Sequence, residues 1–244
     1  MKWCLIPLLL LINTFSAAAE VRVAVAANFL ATLKVLAPLY EQQSGDSLII
    51  SAGSSGKLYA QIVNGAPYDV LLSADRSYPQ RLMDVGKAVG QSRFVYATGQ
   101  LALWSRDKNR LSENSLRSDK VKRIALANPK TAPYGFAAQQ TLQRLGLLKK
   151  LQAKLVMGES VGQAFQFTAT GNAQLGFIAL SQVLNPKNRF NKTDYWLVPA
   201  DFYLPLQQQA VLLQRGEQSA AAKRFLTFMK SDDARHIIRQ YGYL

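Results

Sequence analysis

The chain has 244 residues, 49% hydrophobic and 18% charged, which suits one large or two small soluble globular domains. A single cysteine, Cys4, and a single histidine, His236, exclude a disulfide framework and a metal site built on His and Cys. The formal charge of +14 raises nucleic acid or an anionic membrane surface as partners, but the basic residues gather in 106–123, 144–154 and 187–192 with few aromatics between them. They read as solvated helix faces and loops that could steer small anions, and no nucleic-acid partner is expected.

Residues 1–19 stand apart from the rest. Lys2, an apolar run from Trp3 to Ile12 and then Ala17-Ala18-Ala19 form a signal peptide with cleavage expected after Ala19. The run is too short to span a bilayer, and Cys4 precedes it, which is not the position of a lipid-attachment cysteine. The mature chain is therefore expected to be secreted.

Val21 to Ala27 is a compact Val-rich run that predicts a buried parallel strand, and Asn28 follows it directly. Leu30, Leu33, Leu36, Ala37 and Tyr40 recur at helical spacing and predict an amphipathic helix over 29–43, ended near Gly45. A second strand, Ser47 to Ala52, runs into Gly53-Ser54-Ser55-Gly56-Lys57 and a helix to Asn64. A strand that turns through small residues straight into a helix aims free amide hydrogens and two hydroxyls at one spot, which suits an anion. The stretch lacks the glycine and the hydroxyl of a nucleotide-binding loop, since Ser51 and Leu58 occupy those places. Taken alone it reads first as an ordinary Ser N-cap with a glycine turn.

Gly65-Ala66-Pro67 breaks that helix, and Asp69 to Ala74 is a third strand followed by Asp75 and another helix. Three strand-helix units in succession predict a doubly wound parallel sheet whose strand tips share one edge, where Asn28, Ser55 and Ser73 or Asp75 would converge. Leu101 to Trp104, Ile124 to Ala127 and Leu175 to Leu180 are further strands. Asn128-Pro129 and Pro133-Tyr134-Gly135 open a helix over 136–145, and Glu159-Ser160-Val161 opens another to Gly171, so a second α/β lobe is expected. After 195–198 come a strand over 209–213 and two helices, 219–230 and 232–241.

The inventory for catalysis is thin. His236 falls in the last helix, Asp69, Asp75 and Glu159 are scattered, Asp75 reads as a helix cap, and Ser54 and Ser55 have no histidine nearby in sequence. Donors at helix starts without acid-base machinery are the equipment of a binding protein, and such donors can hold a dianion without a charged partner.

These residues reach a known family. Ala26-Ala27-Asn28-Phe29, Gly53 to Tyr59, Asn64 to Val70 and Ser73-Ala74-Asp75, with Asn128-Pro129, Pro133-Tyr134-Gly135, Gly158 to Val161, Leu175-Gly176-Phe177 and Tyr241-Gly242-Tyr243, resemble the periplasmic molybdate-binding proteins of ABC transporters. The resemblance covers nearly the whole mature chain and is most specific over 53–70. It implies a two-lobed, type II periplasmic-binding-protein fold, each lobe a mostly parallel sheet flanked by helices. Residues 20–98 and 206–244 would form one lobe and 99–205 the other. It also implies a monomer without a cofactor, which holds tetrahedral molybdate or tungstate between the lobes and delivers it to a membrane permease.

Carried over by position, Asn28 and Ser55 are side-chain ligands, Tyr134 and Val161 donate backbone N–H groups, and Ala27 is a further amide donor. Ala179 departs from the family members that place a tyrosine there, and Asn28 is the expected compensation. Three rivals stand beside this reading. One is a sulfate or phosphate binder, with phosphate disfavoured because its proton wants an acceptor that the motif does not place. The others are a secreted hydrolase using Ser55 and a polyanion-binding basic surface with a vestigial site.

Overall fold

In β1 (Glu20–Ala26) the valines and their neighbours face opposite ways. Val21, Val23 and Val25 join a core with Phe29, Leu33, Leu36, Phe225 and Ile238, whereas Ala24 packs with Leu58, Ile62 and Leu82 on the other face. A strand covered on both faces by helices has no solvent side to carry polar residues, which is why the run reads as nearly continuous apolar sequence. The computed structural model describes residues 18–244 apart from 108, 109, 189 and 191–193, so most of the signal peptide expected over 1–19, with Cys4, lies outside the described residues.

The first lobe continues through α1 (Leu30–Ser44), β2 (Ser47–Gly53), α2 (Ser55–Val63), β3 (Val70–Ser73), α3 (Ser77–Asp84) and β4 (Phe94–Gly99). The second begins with β5 (Leu101–Trp104). It runs through β6 (Ile124–Ala127), α4 (Pro133–Arg144), α5 (Leu148–Leu151), β7 (Leu155–Gly158), α6 (Val161–Ala169), β8 (Leu175–Ala179), α7 (Leu180–Val183) and β9 (Tyr195–Leu197). The chain then returns to the first lobe with β10 (Leu206–Leu212), α8 (Ala220–Phe228) and α9 (Asp232–Gln240).

Each lobe has a five-stranded sheet, in the orders β2-β1-β3-β10-β4 and β7-β6-β8-β5-β9. This is the two-lobed α/β fold expected, with one reversal in each sheet. β10 runs antiparallel to both β3 and β4, and β5 antiparallel to both β8 and β9. The three strand-helix units of the first lobe do form a parallel set, β2-β1-β3. β4 and β7 are not legible in the sequence, and β10 starts at Leu206 rather than at Gln209 because Gln207 and Gln208 interrupt the apolar pattern. A β-bulge falls between Gln208 and Gln209, and such a bulge re-aims the side chain beside it.

A buried carboxylate fastens the first lobe's edge. Asp46, between α1 and β2, accepts two-pronged donation from Arg224 of α8 (2.8 to 3.0 Å) and a bond from the Tyr40 hydroxyl (3.0 Å). Burial alone would raise its pKa, but hydrogen bonds from Arg224, Tyr40 and the Ala19 amide outweigh it and hold the carboxyl below the ordinary range. A lowered folded-state pKa means stability that is present above the unfolded value near 3.9 and lost as pH falls through the folded one. Asp46→Ala should therefore cost roughly 2–3 kcal/mol at pH 7 by chemical denaturation, and much less at pH 3. An equal loss at both pH values would remove the charge from the explanation.

Candidate functional site: a cavity among helix N-termini

The strand order sends β1, β2 and β6 toward one edge, and the turns after them bring three helix starts together. Ser54 and Ser55 at the start of α2, Ala132 to Tyr134 at the start of α4, and Val161 at the start of α6 line one small cavity between the lobes. Ala26 at the end of β1, Ala27 and Asn28 after it, Gly53 at the end of β2 and Ala74 after β3 complete it. No Lys, Arg, His, Asp or Glu is among the residues lining it. A small anion there would meet only neutral donors and the positive ends of three helix dipoles.

Each helix start has a local cause. Ser54, in extended conformation, precedes α2 without a side-chain cap bond, and its buried hydroxyl has no hydrogen-bond partner. Pro133 opens α4 and has no N–H, so Tyr134 supplies the first amide hydrogen of that helix, which has no intrahelical acceptor. Gly135 allows α4 to start so close to β6, because a Cβ there would overlap Ala127 O. Ser160 caps α6 by accepting from Gln163 N (3.3 Å), which leaves the Val161 amide at the helix start.

The expected site residues fare differently. Asn28, Ser55, Tyr134 and Val161 all reach the cavity wall. The Ser55 hydroxyl accepts from Ala74 N (3.0 Å) and keeps its hydrogen to donate. Ala27 also lines the cavity, but its N–H donates to Gly53 O (2.9 Å), so the further amide donor expected of it is committed to extending the β1-β2 ladder. Ser73 and Asp75 do not join the cavity. The Asp75 carboxylate accepts from Ser73, from Ser77 and from Tyr78 N (3.3 Å), a cap for α3, as its sequence position suggests.

His236 lies exposed on α9 beside Gln240 (2.9 Å), and among the described residues no group of three or more His, Cys, Asp or Glu could hold a metal ion. Ala179 is fully buried, and its own N–H bonds Gln182 Oε1 (3.0 Å). A phenol does reach Asn28, that of Tyr243.

The lobes touch around the cavity. The second amide of α2, Gly56 N, donates across the cleft to Thr131 O (2.9 Å), and Lys57 pairs with Glu159 (2.5 Å). That ion pair is half-exposed or more on both sides and contributes little in water. At Gly56 an added Cβ would lie 2.5 Å from the Tyr78 hydroxyl and 2.8 Å from Thr131 O.

Sequence reasoning missed a polar layer directly behind the cavity. Gln208 of β10, fully buried, accepts from Asn28 Nδ2 (2.9 Å) and from the Tyr96 hydroxyl (2.9 Å), and donates from Nε2 to the Tyr134 hydroxyl (3.3 Å). Tyr243 donates to Asn28 O or Ser181 Oγ (both 3.0 Å). Burial raises the phenols of Tyr96 and Tyr134 well above 10 and that of Tyr243 to about 12, so all three stay neutral near pH 7.

Residues 21–244 match the family described as bacterial extracellular solute-binding protein. The molybdate-binding protein of Rhodobacter capsulatus is 45% identical over 231 residues, 94% of this chain and 90% of that one. That of Azotobacter vinelandii is 46% identical over 228 residues, 93% of this chain and 90% of that one. The solved structure of the Azotobacter vinelandii periplasmic molybdate-binding protein superposes with a TM-score of 0.86 at 45% identity, over 92% of this chain and 99% of that one. A sulfate-binding protein of Mycobacterium tuberculosis shares the fold, at 13% identity and a TM-score of 0.73, over 92% of this chain and 86% of that one.

Gly56→Ala should hold the lobes apart. Overpacking at a contact of this kind costs roughly 1–3 kcal/mol, or about five-fold to 150-fold in affinity for an anion held by the closed cavity. Calorimetric titration beside a melting curve checks it: weaker binding at an unchanged Tm is the expected result, and unchanged binding would show that the Gly56 contact does not govern closure.

Proposed function

The chain belongs to the bacterial extracellular solute-binding proteins, and on that footing we propose that it captures molybdate, and tungstate with it, and delivers it to the permease of an ABC transporter. It would do so in the periplasm, as a monomer and not as an enzyme. The observation that carries this reading is the cavity itself, where three helix N-termini and two serine hydroxyls meet with no charged side chain in the wall. Asn28, Ser55 and the Tyr134 and Val161 amides are the proposed ligands. The lobes that close on them are 20–98 with 206–244, and 99–205. Among the described residues no helix is long and apolar enough to cross a membrane, and the relatives at 45% and 46% identity are named for molybdate.

The chemistry favours a fully ionised tetrahedral anion. Each polar side chain lining the cavity carries a donor group, and no carboxylate lines it to accept a proton from hydrogen phosphate. A hydrolytic role for Ser55 lacks support, because no histidine, lysine or carboxylate lines the cavity to take its proton. Donors fixed on two lobes discriminate by size, since an anion too small for them forfeits hydrogen bonds that each need about 2.7–3.2 Å.

A thermal-shift panel of molybdate, tungstate, sulfate, phosphate and chromate tests the reading. At 100 times its dissociation constant a ligand stabilises by about 2.7 kcal/mol, and molybdate and tungstate should do so at far lower concentration than sulfate. Equal response to sulfate would move the protein to the sulfate binders. Ser55→Ala should cost roughly 1.5–3 kcal/mol of molybdate binding and Ser54→Ala less. Equal, near-neutral effects would leave the backbone amides as the site.

The pH dependence follows from the same wall. Tyr134 is the one lining residue with an ionisable side chain, and burial keeps it neutral, so affinity should be flat from about pH 6.5 to 8.5. Calorimetry in buffers of different ionisation enthalpy would reveal any proton taken up or released on binding, and a clear uptake or release would sink the neutral-donor site.

A further inference from the structure

Asn28 lines the cavity, but its side-chain donor is already engaged elsewhere. Its Nδ2, the only donor of the side chain, is turned onto Gln208 Oε1 (2.9 Å) and the Tyr243 hydroxyl (3.1 Å). Its Oδ1 is buried with no hydrogen-bond partner, although the residue is only 1% exposed. An oxyanion brought against a lone pair is repelled, so Asn28 cannot serve as a ligand in this orientation. Amide oxygen and nitrogen are nearly equal in size, and a half-turn about the last side-chain bond exchanges them with little steric cost.

That half-turn alone would set Asn28 Oδ1 against Gln208 Oε1. Gln208 must turn with it. We propose that Gln208 is a positioning residue of the oxyanion site: with the anion bound, Gln208 Nε2 donates to Asn28 Oδ1 and so holds Asn28 Nδ2 toward the anion. This rests on the oxyanion reading above and adds to it a residue that lies outside the cavity wall.

The surrounding groups support either orientation because they are hydroxyls. With Gln208 reversed, Nε2 also faces the Tyr96 hydroxyl, which accepts from it and donates to Ser73 O (3.3 Å). The Tyr134 hydroxyl, now facing Gln208 Oε1 at 3.3 Å, donates where it accepted before. Tyr243 turns its hydrogen from Asn28 O to Asn28 Oδ1, and Ser181 Oγ still donates to Asn28 O (3.1 Å). No buried donor or acceptor is orphaned, and the unpartnered Asn28 oxygen gains two donors. An unpartnered buried acceptor is costly, so the anion's arrival relieves it as well as adding a bond.

Gln208 and Tyr96 meet where the β10–β4 register shifts: Gln208 faces Ala97 and Gln209 faces Val95, which leaves Tyr96 as the extra residue on β4 beside Gln208. Gly99 gives Gln208 the room, since a Cβ there would lie 2.6 Å from Gln208 Nε2 and closer still to the Tyr134 hydroxyl. Tyr134 also lines the cavity, so the network touches the site at two of its walls.

A double-mutant cycle on the full chain, with molybdate binding read by calorimetry and folding by Tm, separates positioning from mere support. Gln208→Met should weaken molybdate by about ten-fold or more in the natural background, where it leaves the Asn28 amide without its orienting partner. In Asn28→Ala, itself weakened, the same change should cost no more than about three-fold, the scatter expected of uncoupled sites. Equal losses in both backgrounds would overturn the proposal and make Gln208 a hinge support.

If Gln208→Met does not fold, the cycle is run with Gln208→Glu, whose carboxylate can accept from all three neighbours. It holds Asn28 Nδ2 away from the cavity, so its loss should again be larger with Asn28 present than in the Asn28→Ala background. Equal losses would again overturn the coupling. Failure of the unmodified protein to bind any anion of the panel would sink the oxyanion reading instead, while an unchanged affinity in Asn28→Ala alone would sink this proposal and leave that reading standing.

Discussion

Everything at the cleft depends on the amide hydrogens that a helix cannot use at its own start. A helix leaves its first N–H groups without acceptors, and burying them unpaired costs about as much as losing the bonds. Here the starts of α2, α4 and α6 point inward between two lobes, where water is scarce and no lysine or arginine lines the wall. Part of the need is met inside the protein, by Thr131 for Gly56 and by Ser160 for Gln163. The remainder sets what the cavity accepts. Because these donors are fixed by two separate sheets, their spacing is settled by lobe closure and not by flexible side chains, and spacing is what a rigid tetrahedron reads.

Net charge and site charge are independent here. The chain carries 29 basic residues against 15 acidic ones, yet the cavity wall holds neither kind. An ammonium at the bottom of the cleft would bind any anion strongly and discriminate poorly, since a point charge favours all dianions alike. Neutral donors give up part of that attraction and gain geometric discrimination. Lys57 and Glu159 stand at the rim, paired to each other across the lobes, where solvent screens what they add.

Much of this was legible in the sequence, and the reasons for the exceptions are physical. The runs 21–27 and 69–74 show their strands because both faces of the sheet are covered there, 47–52 shows an edge strand by its apolar residues alone, and the glycine, serine and proline punctuation shows each turn into a helix. Asn28 and Ser55 were readable from their places after the first strand and at the second helix start, whereas Tyr134 and Val161 came from the family resemblance. Gln208 was not readable. It lies 180 residues from Asn28, in a polar triplet that looks like a loop, and only the folded sheet, with β10 set between β3 and β4, brings it to Asn28 and Tyr96. Ala27 shows the opposite limit: its position predicts a donor, and whether the hydrogen is spent depends on how far the β1-β2 ladder extends. Sequence patterns report burial and turns well, but they do not report which of several candidate acceptors takes a given hydrogen.

The return of the chain to its first lobe also orders its assembly in time. β10 lies between β3 and β4, so the first sheet cannot close until residues 206–212 have emerged, while all five strands of the second sheet come from 101–197. A growing chain therefore holds a complete second sheet while β3 still presents an unpaired apolar edge. Pairings between segments so distant in sequence are slow to form, and an open apolar edge invites association with other chains. The last strand in the sequence is thus an inner one of its sheet, and the lobe whose sequence begins first is the one whose sequence is completed last.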